Sequence, residues 1–153
     1  MRTNKMPSSF PIKYSKLSWS DYAAAKDLFR ITFALSEWGR LAPAWRERAS
    51  YGCYAARFRD TLVGFSLVST DNTIKYIVVH PDYQGYKIGS GLLTRILGSM
   101  VSARAIRLTT AGDLRLLGWY GRFGFRAEEI IMDYGVEFVG AHMIKRQRCR
   151  SAT

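Results

Sequence analysis

The sequence predicts one domain of the α/β class, of the α+β type, in which a mixed, mostly antiparallel sheet of about six to seven strands carries helices on both faces. Length is the first observation behind this prediction, because 153 residues favour one domain over two. Composition is the second, because 48% hydrophobic residues suffice for a core and 23% charged residues are a normal globular share. The third is the order of elements along the chain, β-α-α-β-β-β-α-β-α-β-β, which combines antiparallel hairpins with two strand–helix units.

The N-terminal third begins with a strand and continues with two helices. Residues 12–17 are strand-like, and Ser20 offers an N-cap for a helix over residues 21–33 with apolar residues at helical spacing. A second helix is predicted over residues 37–49, with Pro43 near its start.

The middle of the chain reads as three successive strands. Two β-rich runs, residues 51–59 and 62–69, flank a tight hairpin turn at Asp60-Thr61. A second turn at Asp71-Asn72 leads into a strand over residues 73–79.

The C-terminal half returns to alternation of helices and strands. A helix over residues 89–102 precedes a short strand at 105–109, and a helix over 113–123 follows. Two closing strands are predicted over residues 125–132 and 136–144.

The chain is strongly basic, with a formal net charge of +11 from 23 Lys and Arg against 12 Asp and Glu. Such a balance favours anionic partners, namely nucleic acid, acidic proteins or a polyphosphate cofactor. The charge is scattered, except for a basic tail over residues 145–150, and no interleaved aromatic RNA-binding motif is present. Nucleic acid is therefore a less favoured partner than a phosphate-bearing cofactor.

Cysteines and targeting signals point to a cytoplasmic protein without metal. Cys53 and Cys149 are too far apart in sequence for a metal-ligand pattern or a disulfide framework, and we expect a buried Cys53 and an incidental Cys149. The basic N-terminus lacks an apolar segment, and no apolar run reaches the roughly 18 residues of a membrane helix. We expect no membrane partner, one domain over residues 1–153, and flexible tails at about 1–10 and 147–153.

The most informative run lies between the strand at 73–79 and the helix that follows it. The strand ends before Pro81, a Gly-rich turn follows, and successive N–H groups from Gly85 to Ser90 can bond phosphate oxygens at a helix N-terminus. Gly85 and Gly89 have no Cβ, so phosphates can approach the backbone. Neither a P-loop nor a Rossmann fingerprint is present.

Two motifs in this half of the chain resemble those of the GNAT N-acetyltransferase superfamily. The run Val79-x-Pro81-x-x-Gln84-Gly85-x-x-Ile88-Gly89-Ser90-x-Leu92-Leu93 resembles its acetyl-CoA-binding motif. The run Tyr120-Gly121-Arg122-Phe123-Gly124-Phe125 is similar to its Tyr-x-x-x-Gly-Phe element. Element order extends the resemblance over about residues 12–144, and it is specific over residues 74–125.

The resemblance implies a GNAT-like fold and an acetyl-CoA-dependent N-acetyltransferase. Such an enzyme transfers acetyl directly to a primary amine of a small molecule, peptide or protein in a ternary complex without metal, as a monomer or homodimer. The implied cofactor-binding residues are Val78, Val79, Gln84, Gly85, Tyr86, Lys87, Ile88, Gly89, Ser90, Asp113 and Tyr120. Alternatives are a non-catalytic acyl-CoA-binding protein and a basic nucleic-acid-binding protein on the same fold.

Two implied catalytic groups are a backbone donor and a phenol. In the family, the strand before the loop splays from its neighbour, and an N–H that maps to Val79 or the adjacent Val78 points at the thioester carbonyl, where it stabilises the oxyanion. Tyr120 matches the tyrosine that protonates the departing thiolate, a role that suits a phenol. The alternative for Tyr120 is packing beside Trp119 and Phe123.

Lys87 departs from the family pattern, which has glycine at this position. A helix-start conformation is expected to tolerate its side chain, and its ammonium either reaches a phosphate or crowds the cofactor.

The general base has no evident counterpart. Thr73 and Lys75 stand where many relatives carry Glu or His, which leaves Asp71, Tyr76 or a water relay as candidates. His142 could face the acceptor cleft, whereas His80 is expected to be structural.

The remaining candidates have structural alternatives. Asp113, where relatives often carry Asn, is equally well explained as an N-cap. The aromatic residues of the first two helices could line an acceptor pocket, although such residues are more often core: Phe29, Phe33, Trp38 and Trp45.

Overall fold

The computed structural model of the protein describes residues 11–135 and 137–148, which form one seven-stranded sheet with four α-helices. The strands are β1 (Ile12–Lys16), β2 (Tyr54–Phe58), β3 (Thr61–Val68), β4 (Thr73–Val79), β5 (Ala105–Ala111), β6 (Arg126–Asp133) and β7 (Glu137–Arg146). The helices are α1 (Tyr22–Thr32), α2 (Leu41–Arg46), α3 (Ile88–Ser99) and α4 (Leu114–Arg122). Short 3₁₀ segments, Trp19–Asp21, Leu35–Arg40 and Pro81–Tyr83, precede α1, α2 and α3.

The sheet is mixed and mostly antiparallel, as the sequence predicts. Its strand order is β1-β2-β3-β4-β5-β7-β6, and each neighbouring pair is antiparallel except β4 and β5. The parallel pair arises because α3 carries the chain from the end of β4 back to the start of β5.

Helices cover both faces of the sheet, which confirms the predicted fold class. Tyr76 of β4 makes an edge-to-face contact with Phe29 of α1, with ring centroids 5.0 Å apart. Val79, three residues later, faces the opposite side, where a Cβ on Gly89 of α3 would lie 3.9 Å from it.

The core is built mainly from β3, α1 and α3. Phe65 of β3, Phe29 of α1 and Ile96 of α3 are fully buried, and Trp45 of α2 is 2% exposed. Phe29 and Trp45 are therefore core residues, and Cys53 is buried as expected.

The start of the first helix differs from the prediction. The chain enters α1 through a 3₁₀ turn that Ser18 caps, and the N-cap of α1 itself is Asp21 rather than Ser20. The Asp21 carboxylate accepts hydrogen bonds from the Ser18 N–H at 2.8 Å and the Ser18 hydroxyl at 3.1 Å. These two bonds tie the Asp21 carboxylate to the start of the 3₁₀ turn, two residues before the predicted cap.

The second predicted helix, over residues 37–49, is wrong in its extent. It consists of the 3₁₀ segment Leu35–Arg40 and the six-residue α2. Pro43 has no N–H to donate and fits only the first turn of a helix, so an α-helix that contains it must begin close to Leu41.

The β2–β3 hairpin turns one residue earlier than predicted. Phe58 pairs with Thr61, so Arg59 and Asp60 form the turn and Thr61 begins β3. Arg59 adopts a positive φ of 55°, which a two-residue hairpin loop favours.

The remaining boundaries shift by a few residues. Helix α3 ends at Ser99 rather than 102, β5 continues to Ala111, and β7 continues to Arg146. Gln147, which the sequence assigns to a flexible tail, donates from its side-chain amide to the carbonyls of Met100 and Ala103 at 2.8 Å each.

Some predictions concern residues outside the described chain. Val136 at the predicted start of the last strand, Cys149, and the tails at 1–10 and 149–153 lie there. Among the described residues, no helix is both long and apolar enough to cross a bilayer.

Candidate functional site

A gap opens in the sheet between β4 and β5. The start of β4 pairs with the middle of β5 at two positions, Thr73 with Arg107 and Ile74 with Leu108. Lys75 forms a bulge in β4, because Ile74 and Tyr76 pair with consecutive residues of β3. The pairing with β5 ends at this bulge, although both strands continue within the described residues. The splayed strand expected from the resemblance is therefore present.

The register of β4 decides which N–H groups point into this gap. His80 donates to the carbonyl of Val63 at 2.8 Å, so it occupies a hydrogen-bonded position of the β3–β4 ladder. Such positions alternate along an antiparallel pair, so Val78 also bonds β3, whereas the N–H groups of Ile77 and Val79 face the gap.

This register separates the two predicted donors. Val79 faces the gap, but Val78 is turned away from it by its backbone pairing, and its side chain is buried in the core. Ile77 is a second donor that the motif did not indicate, because the alternation follows from the pairing with β3.

The loop after β4 holds Lys87 in a strained conformation. Gly85 has φ 88°, and Lys87, the N-cap of α3, lies in the left-handed region at φ 63° and ψ 24°. The expectation that Lys87 occupies a helix-start conformation free of strain is wrong, because an L-residue pays about 1–2 kcal/mol there. Glycine avoids this cost, which explains physically why the family pattern has glycine at this position.

A cleft of about 770 Å³ lies between this loop, the end of β4 and α4. Eight of the predicted cofactor-binding residues line it: Val79, Gln84, Gly85, Lys87, Ile88, Gly89, Ser90 and Tyr120. Six residues that the sequence did not indicate complete the lining: Thr32, Ile77, Tyr83, Leu116, Trp119 and Arg122.

The charge of this cleft suits an anion. Among the described residues, its lining holds two cations, Lys87 beside α3 and Arg122 at the end of α4, and no carboxylate. The N-terminus of α3 adds its unpaired N–H groups and the positive end of its dipole. A polyphosphate can therefore bind between the two helices.

Tyr120 is a partly buried phenol in the lining of the cleft. Its ring packs edge-to-face on Trp119, at a centroid distance of 4.8 Å, and on Phe125 at 5.8 Å. Burial raises the pKa of Tyr120 to about 12, because the phenolate would lose its hydration. The side chain therefore packs as an aromatic residue and also brings a protonated phenol to the cleft.

The other three predicted cofactor-binding residues, Val78, Tyr86 and Asp113, lie outside this lining. Asp113 caps α4, where its Oδ1 accepts the N–H of Arg115 at 2.8 Å, so its N-cap interpretation holds. Tyr86 packs against a small apolar cluster that contains Val63 and Ile88. His80 is structural as expected, because its Nδ1 accepts the N–H of Asp82 at 3.0 Å.

Two candidates for the base are unsuited to that role. Asp71 accepts a hydrogen bond from the Ser69 hydroxyl, which lowers the pKa of the carboxyl and makes it a weak base. Tyr76 packs between Phe29 and Phe33, and burial raises its pKa, so it retains its proton.

His142 lies in a second, smaller cleft of about 430 Å³ on the sheet surface. Its Nδ1 is 2.8 Å from the Thr109 hydroxyl, and its Nε2 is 3.5 Å from Glu129. The cleft is lined by Thr73, Arg107, Leu108, Thr109, Glu128, Glu129, His142 and Met143. Within the described part of the chain, no cluster of three His, Cys, Asp or Glu side chains is placed to hold a metal.

Comparison with known proteins gives one family match. The model of the acetyltransferase (GNAT) family matches residues 16–125, which include both motifs and the strands and helices between them.

Two curated relatives match a smaller part of the chain. Two proteins described as uncharacterized N-acetyltransferase ycf52, from Porphyra purpurea and Pyropia yezoensis, are each 29% identical over 68 residues. That match covers 42% of this chain and 39% of each relative.

Solved structures share the fold over nearly the whole chain. The ribosomal-protein-S18-alanine N-acetyltransferase of Escherichia coli has a TM-score of 0.76 at 16% identity and covers 94% of this chain and 99% of its own. PaiA N-acetyltransferase of Thermoplasma acidophilum, solved with coenzyme A, has a TM-score of 0.66 at 17% identity, with coverages of 89% and 99%. Arabidopsis thaliana Naa50, solved with the bisubstrate analogue CoA-Ac-MVNAL, has a TM-score of 0.66 at 17% identity, with coverages of 88% and 97%.

Proposed function

Because the chain belongs to the acetyltransferase (GNAT) family and is thus an acyltransferase, we propose that it transfers acetyl from acetyl-CoA directly to a primary amine. The acceptor is an amine of a small molecule, a peptide or a protein. Both substrates bind at once, with acetyl-CoA between α3 and α4 and the amine entering from the side of α1.

The charge and shape of the larger cleft support acetyl-CoA as the acyl donor. The N–H groups at the start of α3, with Lys87 and Arg122, would hold the pyrophosphate. Gly89 leaves the backbone open at the helix start, where a Cβ would meet only ordinary contacts with Trp119 and Val79. Coenzyme A is bound in the solved structure of the Thermoplasma acidophilum relative, and we carry that ligand over to this chain.

One observation carries the proposal: the N–H groups of Ile77 and Val79 face the same cleft as the Tyr120 phenol. The two backbone donors would hold the thioester and stabilise negative charge on its carbonyl oxygen during attack. Tyr120 would give its proton to the departing sulfur, since its phenol is protonated at neutral pH and lines the same cleft. Fixing amine and thioester in one cleft supplies much of the remaining rate gain.

The names of the structural relatives guide the choice of acceptors. The Escherichia coli relative is named for the alanine of a ribosomal protein, and the Arabidopsis thaliana relative was solved with a peptide-bearing analogue. A test panel therefore contains an alanine-starting peptide and the peptide Met-Val-Asn-Ala-Leu, and a lysine-containing peptide and a small primary amine cover the other proposed acceptor classes.

The deciding experiment has two stages. Acetyl-CoA at millimolar concentration should raise the thermal unfolding midpoint, because a ligand at 100 times its Kd adds about 2.7 kcal/mol of stability. Release of free CoA should then depend on an amine of the panel. A thermal shift without amine-dependent CoA release would instead support the non-catalytic acyl-CoA-binding alternative, and the lack of any shift would contradict both.

A further inference from the structure

Three polar side chains from three strands lie in register on one face of the sheet. Thr109 of β5 pairs with His142 of β7, and His142 pairs with Glu129 of β6. Residues directly opposite each other on neighbouring strands share a face, so the three side chains form a row across the sheet.

The contacts along this row have a direction. Nε2 of His142 lies 3.5 Å from the Glu129 carboxylate, and on that ground we assign the ring proton to Nε2. In the neutral ring Nδ1 is then a bare acceptor, and it lies 2.8 Å from the hydroxyl of Thr109. Thr109 therefore donates to His142, and its own oxygen lone pairs remain available to a further donor.

The register around the bulge in β4 shows which face of the sheet the row occupies. Ile74 pairs with Val68 and Tyr76 with Leu67, which are consecutive residues of β3, so Ile74 and Tyr76 face opposite sides. Thr73, next to Ile74, therefore shares the side of Tyr76, which is the side covered by α1.

Thr109 lies on that same side, beside the start of the gap. Arg107 pairs with Thr73, and Thr109, two residues later, has the same orientation and lines the same cleft. Thr109 follows Leu108, the last β5 residue that pairs with β4. Ile77, whose N–H faces the gap, lies only about 7 Å further along the strands, or two residue rises.

Of the two glutamates near His142, Glu128 pairs with arginines and Glu129 pairs with His142. Arg107 of β5 and Arg146 of β7 both approach Glu128 of β6, at 3.7 Å and 3.5 Å. Glu129 lies beside His142, and β4 contributes the uncharged Thr73 to this cleft.

We propose that Thr109, His142 and Glu129 form the proton relay that deprotonates the acceptor amine, an inference that rests on the proposed acetyl transfer. The amine nitrogen bonds to the acyl carbon as the C–S bond breaks. Its proton passes to Oγ1 of Thr109 while the Thr109 proton passes to Nδ1 of His142, and Glu129 stabilises the imidazolium. Tyr120 gives a proton to the sulfur. His142 then loses its proton to water and Tyr120 regains one, which closes the cycle.

The relay is tested by three substitutions with two matched controls, using the fastest amine of the panel. His142→Asn can still accept from Thr109 but cannot carry the proton, so kcat should fall about 100-fold. Thr109→Val should cause a similar loss that Thr109→Ser largely restores. Glu129→Gln should lower kcat about tenfold, whereas Glu128→Gln, its neighbour in the same cleft, should stay within about twofold.

The pH profile separates this role from a structural one. The wild type should lose kcat at acidic pH through a limb that His142→Asn lacks, while the acetyl-CoA-induced thermal shift is equal in both proteins. Amine-dependent turnover in the wild type, with an unchanged kcat and acidic limb in His142→Asn, would overturn the relay alone. A wild type without turnover on any amine would overturn the proposed function and the relay with it.

Discussion

Lys87 and Arg59 are two basic residues held in the left-handed backbone region, with φ 63° and 55°, and of the two only Lys87 lines the larger cleft. Both residues pay a conformational cost that glycine would avoid. Because only Lys87 lies at the cleft, substitutions at the two positions distinguish the effect of backbone strain from the effect of a cation near the proposed phosphate site.

Replacing Lys87 with glycine should stabilise the fold and weaken cofactor binding. Relief of the left-handed strain should raise the free energy of unfolding by about 1 kcal/mol. Loss of the ammonium should raise the Kd of acetyl-CoA about fivefold, as expected for one partly exposed ion pair of about 1 kcal/mol. Urea unfolding and calorimetric titration measure the two effects separately.

Arg59→Gly is the matched control for this experiment. It removes the same charge and the same strain at the β2–β3 turn, although it also loses the stacking of Arg59 on Phe58, at 4.8 Å. Acetyl-CoA affinity should therefore be unchanged in Arg59→Gly. Unchanged or tighter binding in Lys87→Gly would mean that Lys87 does not contact the phosphates.

Replacing Tyr120 with phenylalanine should separate turnover from binding. The aromatic packing on Trp119 and Phe125 is retained, but the proton donor is lost, so kcat should fall about 100-fold while acetyl-CoA affinity changes little. Tyr134→Phe, at a side chain 94% exposed, is the control and should leave kcat unchanged. Undiminished turnover in Tyr120→Phe would remove the phenol from the reaction.

The alkaline behaviour of the wild type checks the same residue. Because the pKa of Tyr120 is raised to about 12, the phenol keeps its proton well above the pH at which a free tyrosine ionises. We therefore expect no loss of kcat from ionisation of Tyr120 between pH 8 and about pH 11. A loss in that range that disappears in Tyr120→Phe would contradict this assignment.

The candidate cofactor loop could be located from the sequence because its residues are consecutive. The strand end, the turn glycines and the helix start are consecutive residues, so Gln84 to Ser90 were placed together without knowledge of the fold. Arg122 and Ile77 were missed for different reasons. Arg122 reaches the cleft only because α4 lies beside α3, and the direction of the Ile77 N–H depends on hydrogen bonds with β3.

The row of Thr109, His142 and Glu129 could not be predicted from the sequence, because it also depends on how the strands pair. Its three members come from three strands, and their alignment depends on the register of each pair. The bulge between Ala127 and Glu129 decides that Glu129, and not Glu128, lies opposite His142. No periodicity in the sequence reports the position of such a bulge.

Stability at acidic pH should depend on Asp21. Burial raises the pKa of this carboxyl, but hydrogen bonds from Ser18 and the paired Arg57 guanidinium outweigh burial and hold the pKa below its usual value. A lowered folded-state pKa stabilises the protein above the unfolded pKa and loses this contribution as the pH falls. Asp21→Asn should therefore cost about 1.5–3 kcal/mol at pH 7 and progressively less below about pH 4.

Asp27→Asn on the exposed side of α1 is the control, and it should change stability by less than about 0.5 kcal/mol. Urea unfolding of both variants at pH 7 and pH 3 provides the comparison. A deficit for Asp21→Asn that is equal at the two pH values would show that the contribution of Asp21 does not depend on its charge.

Two glycines of α3 should respond to alanine with opposite signs. A Cβ on Gly91 would overlap the hydroxyl and ring of Tyr14 from β1, whereas a Cβ on Gly98 would meet nothing within 4 Å in the described chain. Gly98→Ala should raise the free energy of unfolding by about 0.5–1 kcal/mol, because alanine loses less backbone entropy than glycine when a helix forms. Gly91→Ala should lower the free energy of unfolding by about 1–3 kcal/mol, because the added methyl group overpacks this contact.

The contact with Tyr14 can be isolated by a double-mutant cycle. Tyr14 is fixed on the helix by Arg95, whose guanidinium lies 3.8 Å from its ring centroid, so the ring cannot move aside freely. Adding Tyr14→Leu should restore most of the stability that Gly91→Ala loses. It should leave the stability change caused by Gly98→Ala unaltered. Since the proposed phosphate-binding N–H groups lie at the start of α3, Gly91→Ala should also weaken acetyl-CoA binding, and Tyr14→Leu should restore it by letting the helix return to its position on the sheet. If the two alanine variants had equal stability, the packing of Tyr14 on Gly91 would not limit how closely α3 approaches the sheet.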